Sequence, residues 1–117
     1  MMGKKKHAGL ALAEAAIELL EDKIGEQITL LDLREITSIT DFVIIVTGGS
    51  EPHLKAMSES VSAELKHQGH PAFRRSGTPE SGWMLLDYVD VVIHIFLEEK
   101  RSFYSLETLW EAAPRLN

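Results

Sequence analysis

Residues 42–46, Phe-Val-Ile-Ile-Val, are the longest uninterrupted apolar run in the chain. Apolar side chains at consecutive positions leave no polar face, so a strand built from them must be covered on both sides. That requirement constrains the fold more than any other segment. It calls for a sheet with residues 41–48 near its centre and packed material above and below. The same run is far short of the roughly 20 apolar residues of a membrane span.

The flanking sequence supplies the covering layers. Residues 10–23 place Leu10, Ala13, Ile17 and Leu20 on one helical face and Glu14, Glu18, Glu21 and Asp22 on the other. Gly25 is expected to close that helix through a positive φ. Residues 28–33 read as a strand. After the central strand, Thr47-Gly48-Gly49-Ser50 turns into a helix reaching about residue 68. Ser50 is its N-cap, Glu51 and Pro52 suit its first turn, and Leu54, Met57, Val61 and Leu65 form its buried side. Gly69 ends it. Residues 71–75 suggest a short strand, 76–82 a mobile loop, and 83–87 and 91–97 two further strands. Residues 98–104 and 106–113 close the chain as helices, with Ser105 capping the second. The strand–helix–strand unit at 41–75 favours a parallel pair through a right-handed crossover. The short link at 88–90 favours an antiparallel pair. The fold class is therefore α/β: one mixed sheet of about five strands with helices against it.

A length of 117 residues fits one domain, enough to bury roughly 65% of the unfolded surface. Residues 1–9 read as a flexible basic leader carrying Lys4, Lys5 and Lys6, and residues 10–117 as the domain. The leader lacks the apolar stretch of a signal peptide and reads as a solvated tail. Absence of cysteine excludes disulfides, thiolate metal sites and a thiol nucleophile. The net charge of −6 disfavours broad wrapping of nucleic acid and suits a basic partner.

Candidate chemistry is sparse. Gly48-Gly49-Ser50 before a helix resembles an anion site, but neither established phosphate fingerprint is present and Glu51 adds repulsion. Asp87 and Asp90 are spaced by three, whereas two carboxylates on one strand face must be spaced by two. His67 and His70 are separated by a helix-breaking Gly69, so zinc binding is not expected. On residues 83–88, Trp83, Leu85 and Asp87 share one face, while Met84, Leu86 and Tyr88 share the other. One face must be core, and either can be the open one. With Asp90, Glu98 and Glu99 nearby, the open face would be an apolar-centred, acid-rimmed patch.

Three blocks then resemble the Iojap/RsfS family of ribosomal silencing factors. They are Ser38-Ile39-Thr40-Asp41-Phe42-Val43-Ile44 with Thr47-Gly48-Gly49-Ser50, His53, Lys55 and Ala56; the stretch from Gly82-Trp83 through Asp87-Tyr88-Val89-Asp90 to Ile95-Phe96; and Arg101-Ser102-Phe103-Tyr104 with Leu106-Glu107-Thr108-Leu109-Trp110. The resemblance implies a cytoplasmic, non-enzymatic factor without cofactor. Such a factor binds the large ribosomal subunit through ribosomal protein L-fourteen, blocks subunit joining and represses translation. It further implies a fold distantly like nucleotidyltransferases but without their active site, and a homodimer when free. Its contact surface maps to Trp83, Leu85, Asp87, Tyr88, Asp90 and His94, with Glu98 and Arg101 at the margin. Val89 replaces a common Gly, which predicts a looser connection there. Glu98 replaces a frequent Pro, and Ser105 a frequent Asp. Two other readings compete. One is a nucleotide-binding or nucleotidyltransferase-like enzyme built on Gly48-Gly49-Ser50 and the two aspartates. The other is direct RNA binding through the lysine leader with Arg74 and Arg75. No membrane contact and no dedicated nucleic-acid site are expected.

Overall fold

The chain runs α1 (Ala8–Asp22), β1 (Glu26–Asp32), β2 (Phe42–Gly48), α2 (Glu51–His67), β3 (Arg74–Thr78), β4 (Trp83–Asp87), β5 (Val91–Leu97), α3 (Glu98–Tyr104) and α4 (Leu106–Leu109). These elements belong to a computed structural model that describes residues 7–117. The strands form one five-stranded sheet in the order β1-β2-β5-β4-β3. Only the β2–β5 pair is parallel; the other three are antiparallel. The α/β class with a single mixed sheet is as expected.

Every residue of β2 is buried, as its unbroken apolar run demands. On one sheet face Phe42, Ile44 and Val46 join the core beneath α1 and α2. On the other, Val43 and Ile45 pack with Phe96 and the C-terminal segment. The middle strand is β5, with β2 beside it. The helix at 51–67 begins at the expected cap, Ser50 Oγ accepting the His53 N–H at 3.2 Å.

Several local expectations give way to tertiary structure. The 41–75 unit does not form an adjacent parallel pair, because β4 and β5 lie between β2 and β3. The parallel partner of β2 is β5, reached only after a hairpin. Residues 76–78, expected in a loop, extend β3 instead, since the main chain of β4 pairs with them despite their weak propensity. Gly77 (φ +82) is required there: a Cβ would sit 2.1 Å from the Trp83 carbonyl oxygen. Gly25 is not the positive-φ cap of α1. Ile24 takes that position, at φ 62. Its N–H bonds Glu21 O at 2.9 Å and that of Gly25 bonds Leu20 O at 2.8 Å, a Schellman closure. Gly25 is needed for closeness instead, a Cβ there meeting Val46 at 2.8 Å. Ser105 does not cap α4 with its side chain; it lies at φ 49 and its Oγ donates to Ser102 O at 2.6 Å. The final helix is accordingly short, ending at Leu109. Lys4, Lys5 and Lys6 lie outside the described residues, and the expected leader overlaps α1. Nδ1 of His7 accepts the Gly9 N–H at 2.9 Å and Ala8 starts the helix.

The C-terminal segment covers half of the second face. Its end runs along β1, with Asp32 N–H bonding Pro114 O and Leu116 N–H bonding Leu30 O, each at 2.9 Å. Arg101 buckles it to the sheet. That buried guanidinium donates to Thr47 Oγ1 at 2.8 Å and Thr29 Oγ1 at 3.1 Å, and pairs with Glu107. The cover lies over β1, β2 and β5 and stops at Trp83. Beyond it, β3 is exposed throughout and Leu85 and Asp87 are partly exposed.

Candidate partner-binding surface

The register of β4 decides which side chains face out. Leu86 and Tyr88 belong to the core under the two long helices, with Met84 packed against it. Trp83, Leu85 and Asp87 therefore lie on the opposite face, and all three keep some exposure. The tryptophan-bearing face is the open one.

Trp83 sits where the C-terminal cover ends. Its ring stacks on Phe96 at 5.0 Å between centroids and leans on Tyr104 at 4.4 Å. Its Nε1–H donates to His94 Nδ1 at 3.1 Å. Indole nitrogen can only donate, so Nδ1 must be unprotonated and the imidazole proton sits on Nε2. Burial reinforces that state, lowering the His94 pKa from an ordinary 6.5 to about 4. The indole is thus held rigidly with its polar tip satisfied while its ring stays partly exposed. A shallow cleft of about 310 Å³ opens beside it, lined by Ser76, Gly77, Ser81, Trp83, Leu85 and Tyr104.

Asp87 ends the strand and has local duties. Its Oδ1 accepts the Val89 N–H at 2.8 Å, and its Oδ2 faces the Arg74 guanidinium at 3.7 Å. The connection beyond is as short as a hairpin allows, Tyr88 N–H bonding Val91 O at 2.8 Å across Val89 and Asp90. It is not loosened by Val89. Instead Val89 adopts φ 72, a conformation that a hairpin normally assigns to glycine. Asp90 is exposed at this turn, its carbonyl accepting the N–H groups of Asp41 and Phe42.

The remaining expected contact residues scatter. Tyr88 is buried on the helical side, His94 lies beneath Trp83, and Arg101 is the internal buckle, so none of the three offers surface beside Trp83. Glu98 is exposed but faces a different cleft, shared with Gly48, Gly49 and Glu51. The structure adds two side chains that sequence reading passed over as contacts. Tyr104 and Phe103 are 44% and 76% exposed and stack edge to face at 5.0 Å. Their adjacency within an otherwise polar helix was the available signal.

The rival enzymatic constellation is not assembled. Gly48 pairs with Leu97 at one end of the sheet, whereas Asp87 pairs with Val92 at the other. Five residues of strand, roughly 17 Å, separate the two ends. The Gly49 N–H is already donated to His53 Nδ1 at 2.9 Å, and the cleft there is lined by Glu26, Glu51, Glu98 and Glu99. Such a field repels phosphate. Among the described residues no group of three or more His, Asp or Glu side chains is placed to hold a metal ion. No helix among them is long and apolar enough to cross a membrane.

Residues 6–117 match the family model described as ribosomal silencing factor during starvation. The chain belongs to the ribosomal silencing factor family. Within that family it is similar to the ribosomal silencing factor of Halalkalibacterium halodurans, 35% identical with 88% of each chain covered. A crystal structure from Chromobacterium violaceum superposes with a TM-score of 0.86 at 35% identity, covering 90% of this chain and 88% of that one. The mouse protein named mitochondrial assembly of ribosomal large subunit protein 1 is 29% identical, over 92% of this chain and 49% of its own length. Membership in the family ties the chain to translation and ribosome-linked regulation.

Proposed function

We propose that this ribosomal silencing factor is a steric blocker without catalytic activity. The face of β4 bearing Trp83, Leu85 and Asp87, extended by Tyr104, docks on ribosomal protein L-fourteen of the large subunit. The bulk of the domain then occupies space that the small subunit needs, and translation falls. The observation that carries this reading is the uncovered half-face of the sheet with a locked indole at its boundary. Rigid aromatic anchors beside a charged rim are what a protein interface requires, because ordering costs are already met. Asp87 and Asp90 give that rim the charge that suits a basic ribosomal protein. The mouse relative, named for assembly of a ribosomal large subunit, supports the choice of subunit. Action in the cytoplasm and a homodimer in the free state belong to the same reading.

Co-sedimentation with purified large subunits tests it. Trp83→Ala and Leu85→Lys are expected to weaken association at least about tenfold while the circular dichroism spectrum stays native. A subunit-joining assay should lose inhibition in parallel. Retention of both variants on subunits at the parent's level removes this surface from consideration. Calorimetric titration with Mg·ATP addresses the enzymatic rival, with no saturable binding expected.

A further inference from the structure

From residue 65 to residue 79 the chain carries no carboxylate, yet it holds Lys66, His67, His70, Arg74 and Arg75. In a chain of net charge −6 this is a local reversal of sign. The fold gathers these groups at one corner. Lys66 and His67 end α2, the turn at Gly69 (φ +94) redirects the chain, and Arg74 and Arg75 open the edge strand β3. Lys66 and Arg75 line one groove with Pro71 and Ala72, and Glu59 is its single acid. Phe73 projects from the same corner, 68% exposed, with the Arg74 guanidinium 5.7 Å from its ring centroid. Arg74 remains largely exposed while its guanidinium pairs with Asp87 at 3.7 Å. Arg75 commits one N–H, to Ser58 Oγ at 3.3 Å.

Structural duties account for part of this set. Lys66 and His67 complement the dipole at the end of α2. Arginine on an edge strand also discourages edge-to-edge pairing. Neither duty explains an exposed phenylalanine flanked by guanidinium groups. That arrangement matches the chemistry of an unpaired nucleotide, whose base stacks on an aromatic face while cations hold the flanking phosphates. We infer that this corner binds single-stranded RNA, with Phe73 stacking one base and Lys66, Arg74 and Arg75 holding the phosphates on either side. This inference departs from the expectation of no dedicated nucleic-acid site. The site meets the indole face at Arg74, whose guanidinium lies beside Asp87, and stands whether or not that face grips a ribosomal protein.

Fluorescence anisotropy of the full chain with a labelled oligouridine of about twelve nucleotides tests the inference. Micromolar binding is expected, falling steeply with salt. Phe73→Ala should weaken it at least about fivefold, and Phe73→Tyr should retain it. Arg74→Ala with Arg75→Ala should weaken binding and flatten its salt dependence. Replacing Lys4, Lys5 and Lys6 by Ala should leave affinity within about twofold of the parent. Four outcomes each overturn the inference: no binding, Phe73→Ala binding like the parent, loss of binding on replacing the three lysines alone, or an acidic peptide binding as tightly as the oligonucleotide.

Discussion

Trp83 and His94 are diagonal neighbours on adjacent antiparallel strands, joined by a 3.1 Å bond from the indole N–H to an imidazole nitrogen that must be unprotonated to accept it. The most prominent side chain of the open face is thus fixed from below by a buried base, and the two must respond together to pH.

The neutral His94 of the folded chain, with its pKa at about 4, becomes an ordinary histidine of 6.5 on unfolding. Below 6.5 the unfolded state takes up a proton that the folded state refuses. The contribution is therefore complete above pH 6.5 and is lost as pH falls towards 4, amounting to about 3 kcal/mol in all. Urea denaturation at pH 7 and pH 5 should show roughly 2 kcal/mol more loss for the parent than for His94→Gln. Parallel decline of the two proteins across this window would contradict the assignment.

Asp87 contributes both a turn bond and a charge, and the two can be separated. Asp87→Asn keeps an oxygen for the Val89 N–H while removing the negative charge. Its stability should stay within about 0.5 kcal/mol of the parent. Its association with large subunits should fall, and the salt dependence of binding should diminish. Asp87→Ala should additionally cost about 1 kcal/mol in chemical denaturation, because the turn loses its acceptor.

Ile24 and Val89 hold left-handed conformations at φ 62 and φ 72 that β-branched residues resist. Ile24 is 71% exposed, so its side chain gives little in return. Ile24→Gly should raise stability by about 1 kcal/mol, and Val89→Gly should act in the same direction. By contrast Gly77→Ala should cost more than about 2 kcal/mol, since its Cβ would collide with a carbonyl of β4. Thermal midpoints of the three variants give the comparison, and a falling midpoint for Ile24→Gly would refute the strain argument.

The Tyr88 hydroxyl is buried with no hydrogen-bond partner among the described residues, and burial raises its pKa. Tyr88→Phe removes an unsatisfied polar atom while keeping the ring, so stability should hold or rise by about 1 kcal/mol. Large-subunit association should be unchanged, because Tyr88 faces the helices. A binding defect in this variant would restore it to the contact surface.

Much of the architecture was legible because periodicity reports burial directly. The strands at 83–87 and 91–97 and the helix at 98–104 have the bounds that their patterns indicated. Legibility failed where backbone conformation is imposed from outside the segment. Residues 76–78 carry Ser, Gly and Thr and are a strand only because β4 supplies hydrogen bonds. Ile24 takes the left-handed position that closes α1, and Gly25, the next residue, is pressed against Val46, a contact no local pattern announces. The site divided in the same way. Trp83, Leu85 and Asp87 group by alternation alone, whereas His94 and Arg101, which only the resemblance assigns to the contact surface, are buried by the fold.

The linear order of residues by itself determined that a strand at 42–46 must be buried on both faces, and which side chains of residues 83–88 travel together, because side-chain alternation is a local property of extended chain. Which of those two sets faces outward was decided only when the C-terminal segment, anchored by Arg101 to Thr29 and Thr47, covered β1, β2 and β5 and stopped at Trp83. That choice rests on contacts between residues more than fifty positions apart, which no local pattern encodes.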